Sequence, residues 1–371
     1  MRVTSKMLSE KVLYNIQNAL ARMQYAQTQV ATGKRILKPS DDAIAVSKSL
    51  KVKDLLGDNE QYQRNIEDGV GWMDSAEPAI DDTVTLLAEL KEIAVAGASD
   101  TAGPDERTAL AEQVDGLLRQ LVALANTKYD HRYVFAGTYT TTRPYSEVRE
   151  VTGEAVTLAD SEWADLANGA LEEGTVTVRG SSGDVYVEGT DYEVDYGTGR
   201  IRRLVGGSIP AGDACEVSYS TEGVSSVVLN VPGTDGALRR EVAPAVWEQI
   251  NTGGEEFLNS DVDVFSLMVD VKNALWKNDG TAVNQALDAI EAASDQVAAA
   301  LGKVGLARAK FDLAASRLDT QNVNLQALLS SLEDADIAEV MVRLQAERTA
   351  YESALAAASS IMSTSLVNFI Q

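Results

Sequence analysis

The chain has 371 residues, with 32 Lys and Arg against 56 Asp and Glu, for a formal net charge of −24. The length supports two or three domains with sizeable cores. The charge argues against general nucleic-acid binding, which needs clustered cations to neutralise phosphates. Cys215 is the only cysteine, so no intrachain disulfide can form.

Residues 2–38 run against the overall balance, with seven cations (Arg2, Lys6, Lys11, Arg22, Lys34, Arg35, Lys38) and one anion, Glu10. No apolar run follows the first cations, so no secretory signal peptide is expected. Residues 5–31 read as one helix. Leu13, Ile16, Leu20, Met23, Gln27 and Val30 follow the 3–4 spacing of a coiled-coil seam. In "TGKRILKPSDDAIAVSKSL" (Thr32–Leu50), Gly33 stands where the helix should stop. Pro39 enforces an extended step, and Ser40, Asp41 and Asp42 stand where the next helix should start.

Helical pattern then runs from after Pro39 to about Met73, resumes over Ala79–Ala98, breaks at "SDTAGPDE" and returns over Arg107–Lys128. From Thr140 to about Val231 the sequence alternates with period two between Gly turns, as strands do. "DYEVDYGTGRIRRL" (Asp191–Leu204) reads as a hairpin around Gly197-Thr198-Gly199. After Pro244 helices return over Asp263–Asp279, Thr281–Leu301 and Leu306–Leu332, with a last one from about Ile337 to Phe369. In that last helix Ile337, Leu344, Tyr351, Ala358 and Ser365 share one heptad position, and Met341, Arg348, Leu355, Met362 and Phe369 the other.

The expected fold class is mostly α with a β insertion. Both chain ends form a long antiparallel helical bundle or coiled coil, and a β-rich domain sits centrally. The expected domains are terminal coiled-coil helices (1–40 and 335–371), a helical bundle domain (41–139 and 245–334) and an outer β-rich insertion (140–244). If the middle is one insertion, the two arms lie side by side, spanning roughly 40 and 50 Å. Lys34, Arg35 and Lys38 should then neighbour Glu333, Asp334 and Asp336.

No catalytic, cofactor or metal site emerges. His131 is the only histidine, so no multi-histidine metal set exists; a packed or hydrogen-bonded role is expected for it. "ATGKRI" and "LGKVG" lack the phosphate-loop frame. "RGSSGD" lacks nucleophile-elbow spacing and reads as a turn. The pairs Asp41-Asp42 and Asp81-Asp82 sit at expected helix starts, where anions cap free amides. The uncharged stretch "ALAAASSIMSTSLVNFI" (Ala354–Ile370) is interrupted by Ser, Thr and Asn and is short for a span, so membrane insertion is not expected. Two slender terminal helices cannot bury all their apolar faces; Val12, Tyr14, Tyr25, Ile361, Leu366 and Ile370 should stay partly wet. Such stripes point to self-association or partner binding.

At this point the residues resemble a family. "QTQVATGKRILKPSDDAIAVSKSL" resembles the N-terminal signature of the flagellin superfamily. Its Lys-Pro-Ser-Asp-Asp form resembles the hook-filament junction (hook-associated) branch more than filament flagellins, which usually carry Ser-Ala before the paired aspartates. "YVFAGTYTTTRPYS" is similar to the transition into that family's β domain. "DVFSLMVDVKNAL" and "DADIAEVMVRLQAERTAYESALAAASSIMSTSLVNFI" resemble its C-terminal half.

The resemblance implies a non-enzymatic structural adaptor of the bacterial flagellum, joining the hook-side junction zone to the flagellin filament. It implies an extracellular location, reached by type III export without a cleaved signal. The implied partners are copies of itself in a ring, the first hook-associated protein, flagellin, and a cytoplasmic export chaperone on the C-terminal helix. Neither nucleic-acid binding nor membrane insertion is expected. The expected assembly seam is Leu13, Ile16, Leu20, Met23, Val30, Ile337, Met341, Leu344, Tyr351, Leu355, Met362 and Phe369, with Gly33, Pro39, Ser40, Asp41 and Asp42 as hinge and caps. Two other readings stay open: a flagellin of the filament bulk, and a carbohydrate-active enzyme using Asp191, Glu193 and Asp195.

Overall fold

A computed structural model describes residues 5–159 and 162–370, with side chains at positions 7, 10–159 and 162–359. Seven helices bracket and flank a β-rich centre: α1 (Ser5–Thr32), α2 (Ala43–Ala98), α3 (Pro104–Ala125), α4 (Gly254–Leu258), α5 (Val264–Trp276), α6 (Gly280–Glu333) and α7 (Ile337–Ile370). The chain is mostly α with a central β insertion. It divides into two compact units, one of Met1–Gln63 with Ser316–Gln371 and one of Arg64–Ala315.

Two expected breaks are absent. α2 runs unbroken through Pro78, and α6 through Gly302 and Gly305. Proline in a helix interior costs about 3 kcal/mol and glycine about 1 kcal/mol. Burial outweighs those local costs: Ala76, Ala79 and Ile80 around Pro78, and Ala300 and Val304 beside the glycines, are at most 4% exposed. Asp81 and Asp82 therefore lie inside α2 and do not cap a helix start.

In the first unit, α1 contains no glycine or proline, so nothing local interrupts it until Gly33. Gly33 takes a left-handed φ of +68° and donates its N–H to Gln29 O at 2.9 Å, closing the last turn. Asp42 then caps α2, its Oδ1 accepting from Ala45 N at 2.9 Å. Asp336 caps α7 in the same way, accepting from Ala338 N at 2.9 Å and Glu339 N at 3.2 Å.

In the second unit the β region begins earlier and ends later than its alternation suggests. A two-residue turn, Asp130-His131, joins β1 (Lys128–Tyr129) to β2 (Arg132–Tyr133). Both turn residues have positive φ, 45° and 63°, the conformation that matches strand twist in a tight hairpin. His131 is thus exposed at a turn tip, not packed.

Then come β3 (Tyr145–Val148), β4 (Glu150–Leu158), β5 (Ala164–Asp165), β6 (Thr177–Arg179), β7 (Val185–Tyr186), β8 (Tyr192–Asp195), β9 (Arg200–Arg203), β10 (Asp213–Ser220) and β11 (Ser226–Leu229). All pairings are antiparallel: one sheet has the order β4-β10-β6-β7, another β5-β9-β8, and β11 pairs with β3. Inward residues of the two larger sheets, among them Leu158, Val178, Ile201 and Val217, share one core in which Cys215 is also buried. The expected hairpin is β8–β9. Gly199 is required there, because its φ is +67° and a Cβ would stand 1.9 Å from Asn168 O.

A last hairpin pairs β12 (Arg239–Ala243) with β13 (Val246–Gln249). The hairpin reaches past Pro244 into the expected helical domain (245–334), whose first expected helix, Asp263–Asp279, is α5. Pro244 begins a turn that left-handed Ala245 (φ 59°) completes.

Candidate functional site: the paired terminal helices

α1 and α7 pack against each other, and residue pairs set their direction. Gly33 O accepts from Ala335 N at 2.9 Å at one end, and Arg22 Nε reaches Glu347 at 3.0 Å further along, so the helices run antiparallel. On α1, Val12, Ile16, Ala19, Met23, Ala26 and Val30 are buried or half-buried along one stripe, flanked by half-buried Asn18, Leu20 and Tyr25 and buried Gln29. On α7 the stripe is Val340, Leu344, Glu347, Tyr351, Ala354 and Ala358. Each set alternates steps of four and three, the spacing of a coiled-coil seam.

The expected seam therefore splits in two. Ile16, Leu20, Met23, Val30, Leu344 and Tyr351 are half-buried, with Leu20 beside the seam rather than on it. Leu13, Ile337, Met341 and Leu355 stay exposed, at 59%, 45%, 51% and 43%. The large apolar residues Leu13, Leu20, Met341 and Leu355 mark the expected line in the sequence. The fold instead uses Ala19 and Ala26, 3% and 1% exposed, because small side chains let the helix axes approach closely. Met362 and Phe369 lie outside the described side chains, as do Ile361, Leu366 and Ile370. Val12 and Tyr25 are half-buried, and Tyr14 is 64% exposed. With Met7 and Val342, the exposed residues leave two helices carrying apolar side chains that nothing among the described residues covers.

The joint between α1 and α2 closes one end of the pair. Lys34 Nζ lies 2.6 Å from Glu333 Oε2 and 3.7 Å from Asp334. Lys53 pairs with the other Glu333 oxygen. Arg35 N donates to Glu333 O at 2.7 Å, and its guanidinium to Leu332 O at 2.8 Å. Arg35 also lies 3.7 Å from Asp42. Lys38 and Asp336, expected nearby, enter no ion pair with this group: Asp336 is spent on its cap. Asp41 Oδ2 accepts from Leu37 N at 3.0 Å, Lys38 N at 2.9 Å and the Tyr25 hydroxyl at 2.9 Å, which folds the joint back on α1. Hydrogen bonds from those backbone amides hold the Asp41 carboxyl below its ordinary pKa. Pro39 and Ser40 are exposed in the turn.

The Lys34 hydrogen bond, then that of Lys53, lowers the Glu333 pKa from 4.5 to about 2 against the opposing effect of burial. A carboxylate depressed in the folded state stabilises above its unfolded pKa and loses that contribution as pH falls through the folded one. The clasp should be intact above about pH 4.5 and lost as pH falls toward 2. Both lysine side chains are nearly half exposed, 41% and 48%, so solvent screens them. Glu333→Gln should cost about 1–2 kcal/mol at pH 7, read as faster hydrogen exchange in α1 and α7. The gap to wild type should close as pH approaches 2. An undiminished gap at that pH would refute the clasp.

The three carboxylates considered for glycan chemistry serve the local fold. Asp191 accepts from Val187 N at 2.8 Å and Ser208 N at 2.7 Å, Glu193 from Arg202 Nε at 2.8 Å, and Asp195 from the Thr198 hydroxyl at 2.5 Å. Among the described residues no group of three or more His, Cys, Asp or Glu could hold a metal ion, and no helix is long and apolar enough to cross a membrane.

Comparison with known proteins agrees with this placement of the helices. Residues 3–140 match the bacterial flagellin N-terminal helical region, and residues 287–370 the bacterial flagellin C-terminal helical region. The chain is 27% identical over 290 residues to flagellar hook-associated protein 3 of Escherichia coli, covering 77% of this chain and 85% of that one. To flagellar hook-associated protein 3 of Salmonella typhimurium it is 30% identical over 148 residues, covering 40% and 47%. A solved protein from Vibrio parahaemolyticus assigned to the flagellar hook-associated proteins shares the fold, with a TM-score of 0.51 at 17% identity over 79% of this chain and all of that one. With both helical regions present in order and together spanning more than half its length, the chain belongs to the bacterial flagellin family.

Proposed function

We propose that this chain is a structural adaptor of the bacterial flagellum, joining the hook-side junction zone to the flagellin filament. The observation that carries the reading is the likeness to flagellar hook-associated protein 3, which extends over 77% of this chain and 85% of that protein and so takes in the central region. The chain acts by binding and not by turnover. It assembles through the apolar residues that the α1–α7 pair leaves exposed, Leu13, Met341 and Leu355 among them, together with copies of itself, the first hook-associated protein and flagellin. Residues 1–40 and 335–371 form the inner layer, 41–139 and 245–334 a middle layer, and 140–244 the outer face. Before export, a cytoplasmic chaperone covers the C-terminal helix.

Deleting Leu355–Gln371 should leave a folded, soluble chain that no longer supports filament attachment. The test is electron microscopy of cells carrying the truncated chain as their only copy, and normal filaments there would refute the reading. A filament-forming flagellin would share both helical regions; location in the flagellum separates the two.

A further inference from the structure

Charge is divided very unevenly between the two units. The first holds 13 Lys and Arg and 13 Asp and Glu, a balance of zero. The second holds the remaining 19 and 43, so the whole net charge of −24 resides in it. Two second units brought together repel each other, and a cationic surface attracts either. Within the first unit the cations are again uneven: residues 1–63 carry ten against six anions.

Three of those cations line a cavity at the α1–α2 joint. It measures about 320 Å³ and is lined by Lys34, Lys38 and Lys53 and by the apolar Ile36, Leu37, Val46 and Leu50. Its one carboxylate, Glu333, is taken up by Lys34 and Lys53. Lys38 enters no ion pair among the described residues, and Leu50 is 55% exposed. A cation whose nearest counter-charge, Asp41, is already engaged by backbone amides and Tyr25 stands beside an uncovered leucine, and suits a ligand segment with a carboxylate next to an apolar side chain.

We propose that this cavity receives a carboxylate-bearing segment of the acidic unit from a second copy of the chain. This rests on the assembly reading above and names a contact within it. Cavity and segment are different surfaces, so the contact is heterologous and repeats from copy to copy as a ring or a helical array. Charge complementarity selects the occupant: the chain's surplus of carboxylates lies in the second unit. Attraction of this kind weakens with salt, whereas contact through the exposed apolar residues of α1 and α7 does not.

The test is zero-length carbodiimide coupling of the full chain, mixing isotopically light and heavy copies so that links between molecules are recognised by mass. Links between molecules should join Lys38 and Lys53 to carboxylates within residues 64–315. Their yield should fall about tenfold between about 50 mM and about 500 mM NaCl, as the screening length shrinks. Lys38→Glu, which leaves the Glu333 clasp intact, should lower the yield from Lys53 about fivefold, by reversing a charge at the contact. Lys48→Glu, exposed on α2 outside the cavity, should change it less than about twofold. Association without these links, or with links indifferent to salt or to Lys38→Glu, would overturn the cavity contact alone. Chains that stay monomeric by sedimentation at every salt concentration, with no links between molecules, would overturn it together with the assembly reading.

Discussion

Replacing Asp115 with Ala should destabilise the second unit by about 3–5 kcal/mol, the cost of stranding a buried charge. Asp115 on α3 lies at a crossing of three elements. Its Oδ1 accepts from Val224 N at 2.8 Å and lies 3.5 Å from Lys272 Nζ on α5, and its Oδ2 meets Arg119 at 2.5 Å. Lys272 is 2% exposed and also donates to Val224 O, so one loop residue is held through both its N–H and its carbonyl. The loop has no room to relax, since a Cβ on Gly223 would stand 2.4 Å from the same carboxylate oxygen.

Removing Asp115 leaves the ammonium without a counter-charge and Val224 N without an acceptor. Burial already lowers the Lys272 pKa, with Asp115 opposing the shift; in the variant it should fall further. The folded state then prefers the neutral amine while the unfolded chain binds the proton, so stability of the variant should recover as pH rises above neutrality. Adding Lys272→Met should restore the part of the loss at pH 7 that comes from the unpaired ammonium, while Val224 N and O still lack their side-chain partners. Urea denaturation followed by tryptophan fluorescence reads the outcome. A loss under about 1 kcal/mol in the single variant would show that the network is not closed.

Met341→Asp combined with Leu355→Asp should behave in the opposite way, sparing the fold and abolishing assembly. Both residues are exposed, 51% and 43%, so the monomer loses little, within about 0.5 kcal/mol per site. In an assembly each would be covered, and burying such a side chain contributes about 1.5–3 kcal/mol. A carboxylate placed there without a partner reverses that gain and adds a desolvation penalty. Two sites repeated at every copy should therefore prevent incorporation. The checks are an unchanged melting curve and the absence of attached filaments. A variant that assembles normally would remove this face from the interface.

How much of this was legible depends on whether the cause is short-range. The α1–α2 joint could be read because its chemistry lies within a few residues: Gly33 must adopt positive φ, and Asp42 reaches an amide three residues on. The antiparallel arms followed from two seams separated by an insertion, and so did the meeting of Lys34 with Glu333. The register of the seam did not, because Ala19 and Ala26 carry a weak apolar signal and matter only once a second helix approaches. Pro78 and the left-handed Ala245 break local rules that tertiary packing overrides. The Asp115–Lys272 pair joins positions too far apart in sequence for any periodicity to connect.

The central claim is a place in the flagellum, and immunogold labelling of intact flagella against this chain tests it most directly. Gold confined to the boundary between hook and filament is the expected result. Gold distributed along the filament would contradict the junction reading and identify the chain as a filament subunit.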